Sequence, residues 1–108
     1  MALGERAWHI ETVWRAAASV RVETVPVEEI RELDEDCWFD GGEATVRAIV
    51  DHARRIGEAD LNQPVILAAD GQVLDGMHRI AKALLMGNAT VQAQRLPNDP
   101  EPDWLRQT

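Results

Sequence analysis

The stretch PVILAADGQVLDGMHRIAKALLMGNATVQAQRL, residues 64 to 96, decides the fold. Val65-Ile66-Leu67-Ala68 is a short apolar run, the pattern of a buried strand. Asp70-Gly71 is a tight-turn signal between apolar stretches, and Val73-Leu74 reads as the returning strand. Asp75-Gly76 marks a sharp step into a helix from about Met77 to Met86, which stops at Gly87. Thr90 to Leu96 reads as a last strand, with Val91, Ala93 and Arg95 alternating with Gln92, Gln94 and Leu96.

Upstream, residues 43–57 carry a strong helical pattern. Val46, Ile49, Val50 and Ala53 form its apolar face. Glu43–Arg47 and Asp51–Arg55 are acid-before-base pairs at i, i+4 on the wet face, and Gly57 suits the position just past the end. Residues 34–42 are an acidic loop ending in Asp40-Gly41-Gly42, in which Trp38 and Phe39 are expected to anchor the loop to the core. Val27 to Leu33 suits one short helical turn. From Ser19 to Val27 the chain alternates, Val20, Val22 and Thr24 against Arg21, Glu23 and Val25, a strand stopped at Pro26. Residues 5–18 read as a helix with Ile10, Val13, Trp14 and Ala17 on one face. The segment after Pro97 is rich in proline and reads as an extended tail, with Trp104 placed to clip it back.

The 108 residues fit one domain. Asp and Glu total 19 against 11 Lys and Arg, a formal net charge of −8. The excess lies in residues 23–43, where Glu23, Glu28, Glu29, Glu32, Asp34, Glu35, Asp36, Asp40 and Glu43 face Arg31 alone. The rest of the chain is charge-neutral. A phosphate backbone repels such an acidic surface, which argues against direct DNA binding. The same surface suits docking of a basic protein partner. The single cysteine, Cys37, excludes an internal disulfide framework and a cysteine-rich zinc site. His9, His52 and His78 lack the spacing of metal ligands, so no metal is assigned. No apolar run approaches the ~20 residues of a membrane span, and the first residues lack a signal-peptide core, which points to a cytoplasmic protein.

The step into the helix of the 64–96 stretch carries the chemical information. Backbone N–H groups at a helix start sit at the positive end of its dipole and favour anions. Gly76 lets backbone approach a ligand closely. Arg79 offers a fork that matches phosphate oxygens, and His78 can donate a hydrogen bond or carry charge. The residues alone leave alternatives open. Asp75 suits the N-cap, a pairing partner for Arg79, or an acid bridging to a metal on a bound triphosphate. His78 also suits a partly buried helix residue.

The segment resembles the ParB-like/sulfiredoxin superfamily. Gln63-Pro64-Val65, Asp70-Gly71, Gly76-Met77-His78-Arg79, Ala83, Gly87 and Val91 follow the order and spacing of ParB N-terminal domains. The Gly-x-His-Arg pair is similar to the helix start of sulfiredoxins. Val25-Pro26-Val27-Glu28-Glu29-Ile30 is similar to the step that opens these domains, and the likeness covers roughly residues 20–97. It implies a single small α+β domain, a mixed sheet with packed helices, flanked by an N-terminal helix at 1–19 and a tail at 98–108. It implies a nucleotide site for CTP or ATP with Mg²⁺, with Gly76, Met77, His78 and Arg79 on the phosphates and Asp75, Thr45, Arg47 and His52 in support. The chain departs from both branches. Met77 stands where sulfiredoxins carry their reactive cysteine and has no thiolate to offer, so that chemistry is not expected. Nucleotide hydrolysis would need a base the motif does not supply. The Lys of the upstream helix has no counterpart.

Overall fold

The computed structural model describes residues 1–107. The 64–96 stretch folds as its pattern predicts. β4 (Val65–Leu67) and β5 (Val73–Asp75) form an antiparallel hairpin, α3 (Met77–Leu85) follows, and β6 (Thr90–Arg95) returns parallel to β4. Gly71 holds φ +92° in the hairpin turn, and the Gly71 N–H donates to the Ala68 carbonyl at 2.9 Å. α3 ends in a Schellman motif, with Gly87 at φ +75° and the Asn88 and Gly87 N–H groups donating to the carbonyls of Ala83 and Leu84.

β3 (Glu23–Pro26) pairs antiparallel with β6, giving the sheet order β3-β6-β4-β5. Pro26 sits on this edge strand, where a missing N–H costs no ladder bond. β3 begins later than its alternating pattern suggests, and its inward residue is Val25, opposite Val91. Val22 and Thr24 face solvent, while Val20, ahead of the strand, is half-buried against the core beneath α1 (Ile10–Ala17). Pairing with β6 fixes the register, and a one-residue shift exchanges the two faces of a strand. Two 3₁₀ turns, Val27–Glu29 and Arg31–Asp34, replace the single helical turn.

The apolar run of β4 feeds two cores, because successive side chains leave opposite faces of a strand. Val65 and Leu67 join Val25, Val91, Ile80 and Ala83 beneath α3. Ile66 and Ala68 join Leu74, Leu96, Trp8, Val13 and Ala17 beneath α1 (Ile10–Ala17). The protein is a single α+β domain with a mixed sheet between two helices.

Residues 5–18 are not one helix. β1 (Ala2–Leu3) and β2 (Arg6–Ala7) form a hairpin, and α1 starts only at Ile10. β2 pairs with β7 (Trp104–Leu105), so the tail is a strand against the N-terminus. Trp8 is fully buried there, its indole N–H donating to the Pro100 carbonyl at 2.9 Å. Asp99 pairs with Arg6 at 2.8 Å and accepts the Ala69 N–H at 2.9 Å, which ties the tail to the β4–β5 turn. A helical pattern of apolar residues carries no information on a partner strand at the far end of the chain, where Arg6 meets Leu105 and Ala7 meets Trp104.

α2 (Val46–Glu58) packs on α3 rather than on the sheet. Thr45 caps it, its hydroxyl accepting the Ala48 N–H at 3.1 Å. Glu43 precedes the helix, so the Glu43–Arg47 pair does not form, whereas Asp51 pairs with Arg54 and Arg55 at 2.6 and 3.1 Å. Gly57 lies inside the helix, and Ala59 is the C-cap. The expected core face is in solvent: Val46, Val50 and Ile49 are 79, 61 and 50% exposed. Among the described residues, no helix is long and apolar enough to cross a membrane.

Candidate functional site

The β4–β5 hairpin delivers Asp75 and Gly76 to the start of α3. Gly76, not Asp75, is the N-cap, with φ +112°. A Cβ at this glycine would lie 2.7 and 2.9 Å from Cγ1 and Cβ of Val65. The close approach that requires glycine is therefore to the protein's own β4. No side chain caps α3, and its first bond runs from the Ile80 N–H to the Gly76 carbonyl. The N–H groups of Met77, His78 and Arg79 have no intrahelical partner. These three residues and Gly76 line a cavity of about 300 Å³ together with Arg55, Glu58, Ala59 and Asp75.

Asp75 is the partner of Arg79. Its Oδ2 accepts from Arg79 at 3.1 Å and from the Trp14 indole at 3.1 Å. Arg79 also donates to the Pro64 and Gln63 carbonyls at 2.5 and 3.3 Å. The guanidinium fork thus braces the shoulder of β4, and its donors face the protein rather than the cavity.

His78 stands in an aromatic stack. His52 Nδ1 and His78 Nε2 lie 2.8 Å apart, one ring N–H donating to the bare nitrogen of the other. Trp38 stacks on His52 at 4.5 Å and on His78 at 4.7 Å between centroids, with interplanar angles of 10° and 7°. Phe39 meets His52 edge-on at 5.5 Å. The loop that brings Trp38 here is wound around Asp36, whose carboxylate accepts the N–H groups of Trp38, Phe39 and Gly41 at 3.2, 2.8 and 2.9 Å. The Gly41 and Phe39 bonds hold that carboxyl below the usual aspartate range. Burial pushes the His78 imidazole below the usual histidine value, and charge on His52 and Arg55 adds to it against the opposing pull of Asp51.

Of the residues singled out in the sequence, Asp75, Gly76, Met77, His78 and Arg79 converge at the helix start, and His52 reaches them through His78. Thr45 is spent on its cap and Arg47 is exposed, and neither lines the cavity. Arg55 does line it, and nothing in the sequence reading pointed there, because its i, i+4 pairing with Asp51 already accounted for it. Trp38 anchors its loop on two histidines from different helices rather than on the core. Among the described residues, no group of three or more His, Cys, Asp or Glu side chains is placed to hold a metal. No protein-family model, curated protein or solved structure matches the chain.

Proposed function

We propose that the protein binds a small phosphate-bearing ligand, a nucleotide such as CTP or ATP with Mg²⁺, at the start of α3. The observation that carries this reading is the uncapped first turn of α3 opening on a cavity beside Arg55 and His78. Unpaired N–H groups and the helix dipole favour an anion, and Arg55 supplies a cation with freedom to turn toward it. Its pairing with Asp51 is on an exposed helix surface, where an ion pair contributes little. Glu58 and Asp75 oppose an anion in the same cavity, and Arg79 neutralises only Asp75. The resemblance of Gly76-Met77-His78-Arg79 to ParB-like and sulfiredoxin helix starts supports the same ligand class. In this reading Arg79 is a positioning residue that holds β4 against α3, and the contacts to phosphate come from backbone N–H groups, His78 and Arg55. No residue is assigned a catalytic step.

Calorimetric titration with CTP, ATP and inorganic phosphate, each with Mg²⁺, tests it. Binding of at least one, weakened about fivefold in Arg55→Ala and strengthened in Glu58→Gln, is the expected result. Absence of heat from all three at millimolar concentration overturns the reading.

A further inference from the structure

Met77 also lines a larger open groove of about 570 Å³. Its floor and walls are apolar: Leu33, Trp38, Phe39, Ile56, Leu84 and Leu85 are among the residues that form it. Leu84 and Leu85 are 49 and 78% exposed, an arrangement that leaves apolar area in water. Its lip is acidic. Glu32, Glu35 and Asp36 line it and no Lys or Arg does. These acids belong to the 23–43 segment that holds the whole charge excess of the chain. The Glu32 carboxylate accepts one backbone N–H, from Val73 on Oε2, while its Oε1 is buried without a partner. The Cys37 thiol, on the same lip, is pushed above the usual cysteine range by burial and then by the charges of Glu32, Glu35 and Asp36. The local field is negative.

We propose that this groove docks a basic amphipathic helix of another protein, its apolar face on Leu33, Ile56, Leu84 and Leu85 and its Lys or Arg side chains against the exposed carboxylates of Glu35 and Asp36. The occupant is chosen by charge complementarity: an apolar seat with an acidic lip selects apolar residues flanked by cations. A second copy would bring its own net charge of −8 to an acidic surface, which opposes self-association. A helix suits the seat better than an added strand, because the groove is walled by side chains of α2, α3 and the loop, and no strand of either sheet lines it. The proposal does not rest on the phosphate reading, which uses Arg55, His78 and the α3 N–H groups, although Met77 lines both sites and Trp38 of the groove stacks on His78.

A fluorescent amphipathic Leu/Lys helical peptide, with a Leu/Glu peptide of the same pattern as control, tests it by anisotropy. The Leu/Lys peptide is expected to bind and the Leu/Glu peptide to fail. Leu85→Asp separates groove docking from general attraction. It makes the protein more acidic, so attraction alone would tighten binding, whereas seating in the groove predicts a loss of at least tenfold. Glu35→Lys is expected to weaken binding about fivefold, and raising the salt to weaken it further. Both residues are exposed, so folding is expected to survive, and circular dichroism checks it. No binding by the Leu/Lys peptide, equal binding by the Leu/Glu peptide, or tighter binding by Leu85→Asp overturns the proposal. So does dimerisation of the protein alone, seen by sedimentation and abolished by Leu85→Asp, which would make the occupant a second copy.

Discussion

α3 places Ile80 and Ala83 on the sheet with no exposed surface, while α2, longer and as strongly amphipathic in sequence, buries no residue at all. α3 is fixed at both ends: Gly76 wedges its start against Val65, and the Schellman turn at Gly87 leads it directly into β6. α2 is held from one side, by His52 bonding to His78 and by Lys82, which donates to the Gly57 and Ala59 carbonyls at 2.9 and 2.7 Å. An apolar stripe states which side of a helix prefers to leave water, and not whether the same chain supplies a cover. In α3 the sheet is that cover. Val46, Ile49 and Val50 of α2 have none among the described residues.

Substitutions at corresponding places on the two helices test this contrast. The largest expected effect is Ile80→Ala, a loss of about 4 kcal/mol in urea unfolding from lost burial and the cavity left behind. Val50→Ala on α2 is expected to stay within about 0.5 kcal/mol, and an equal loss would mean that its face is covered after all. A pair of glycines comes next. Gly76→Ala must accept a strained positive φ and a clash with Val65, for a loss of about 3 kcal/mol. Gly57→Ala, inside α2 with open space around it, is expected to gain about 0.5 kcal/mol. Lys82→Ala removes one of the two ties between the helices and is expected to cost about 1 kcal/mol, with faster amide exchange in α2 and unchanged exchange at Ile80.

The smallest effect is a pH dependence of the contact between the helices. His78 is held below its ordinary value in the fold, so the unfolded chain takes up its proton first as the pH falls. Its contribution is therefore complete above the ordinary histidine range, about 6.5, and is lost as the pH drops through the lower native value. A thermal-melt series from pH 8 to pH 5 should show a fall that His78→Gln flattens. A fall of the same size in that variant would show that another group titrates.

The legible part of the molecule is the part governed by neighbours in sequence. Asp70-Gly71 specifies a hairpin, Gly87 stops a helix, and Val65 to Ala68 can only be buried, so the order of β4, β5, α3 and β6 is readable residue by residue. The N-terminal hairpin was not legible, because Ala2, Leu3, Arg6 and Ala7 become strands only when Trp104 and Leu105 come beside them. Half of the candidate site was legible for a similar reason. Asp75 through Arg79 stand together in the sequence, and their convergence at a helix start follows from the turn that precedes them. Arg55, which lines the same cavity, and Trp38, which stacks on two histidines, come from segments whose local patterns are already satisfied as an ion-paired helix face and an acidic loop.

Sequence alone specified the acidic segment, the turn at Asp70-Gly71, the helix stop at Gly87 and the glycine at position 76. Tertiary structure alone decided where their donors and charges were spent. Asp75 turned from a candidate cap into the partner of Arg79, and Arg79 turned its fork inward onto Pro64 and Gln63. The acids of the 23–43 segment came to rim an apolar groove. The physical reason is range. Turn and cap preferences act over a few residues of chain, whereas a hydrogen-bond donor or a methyl group is satisfied by whatever the folded chain brings within reach, regardless of its place in the sequence.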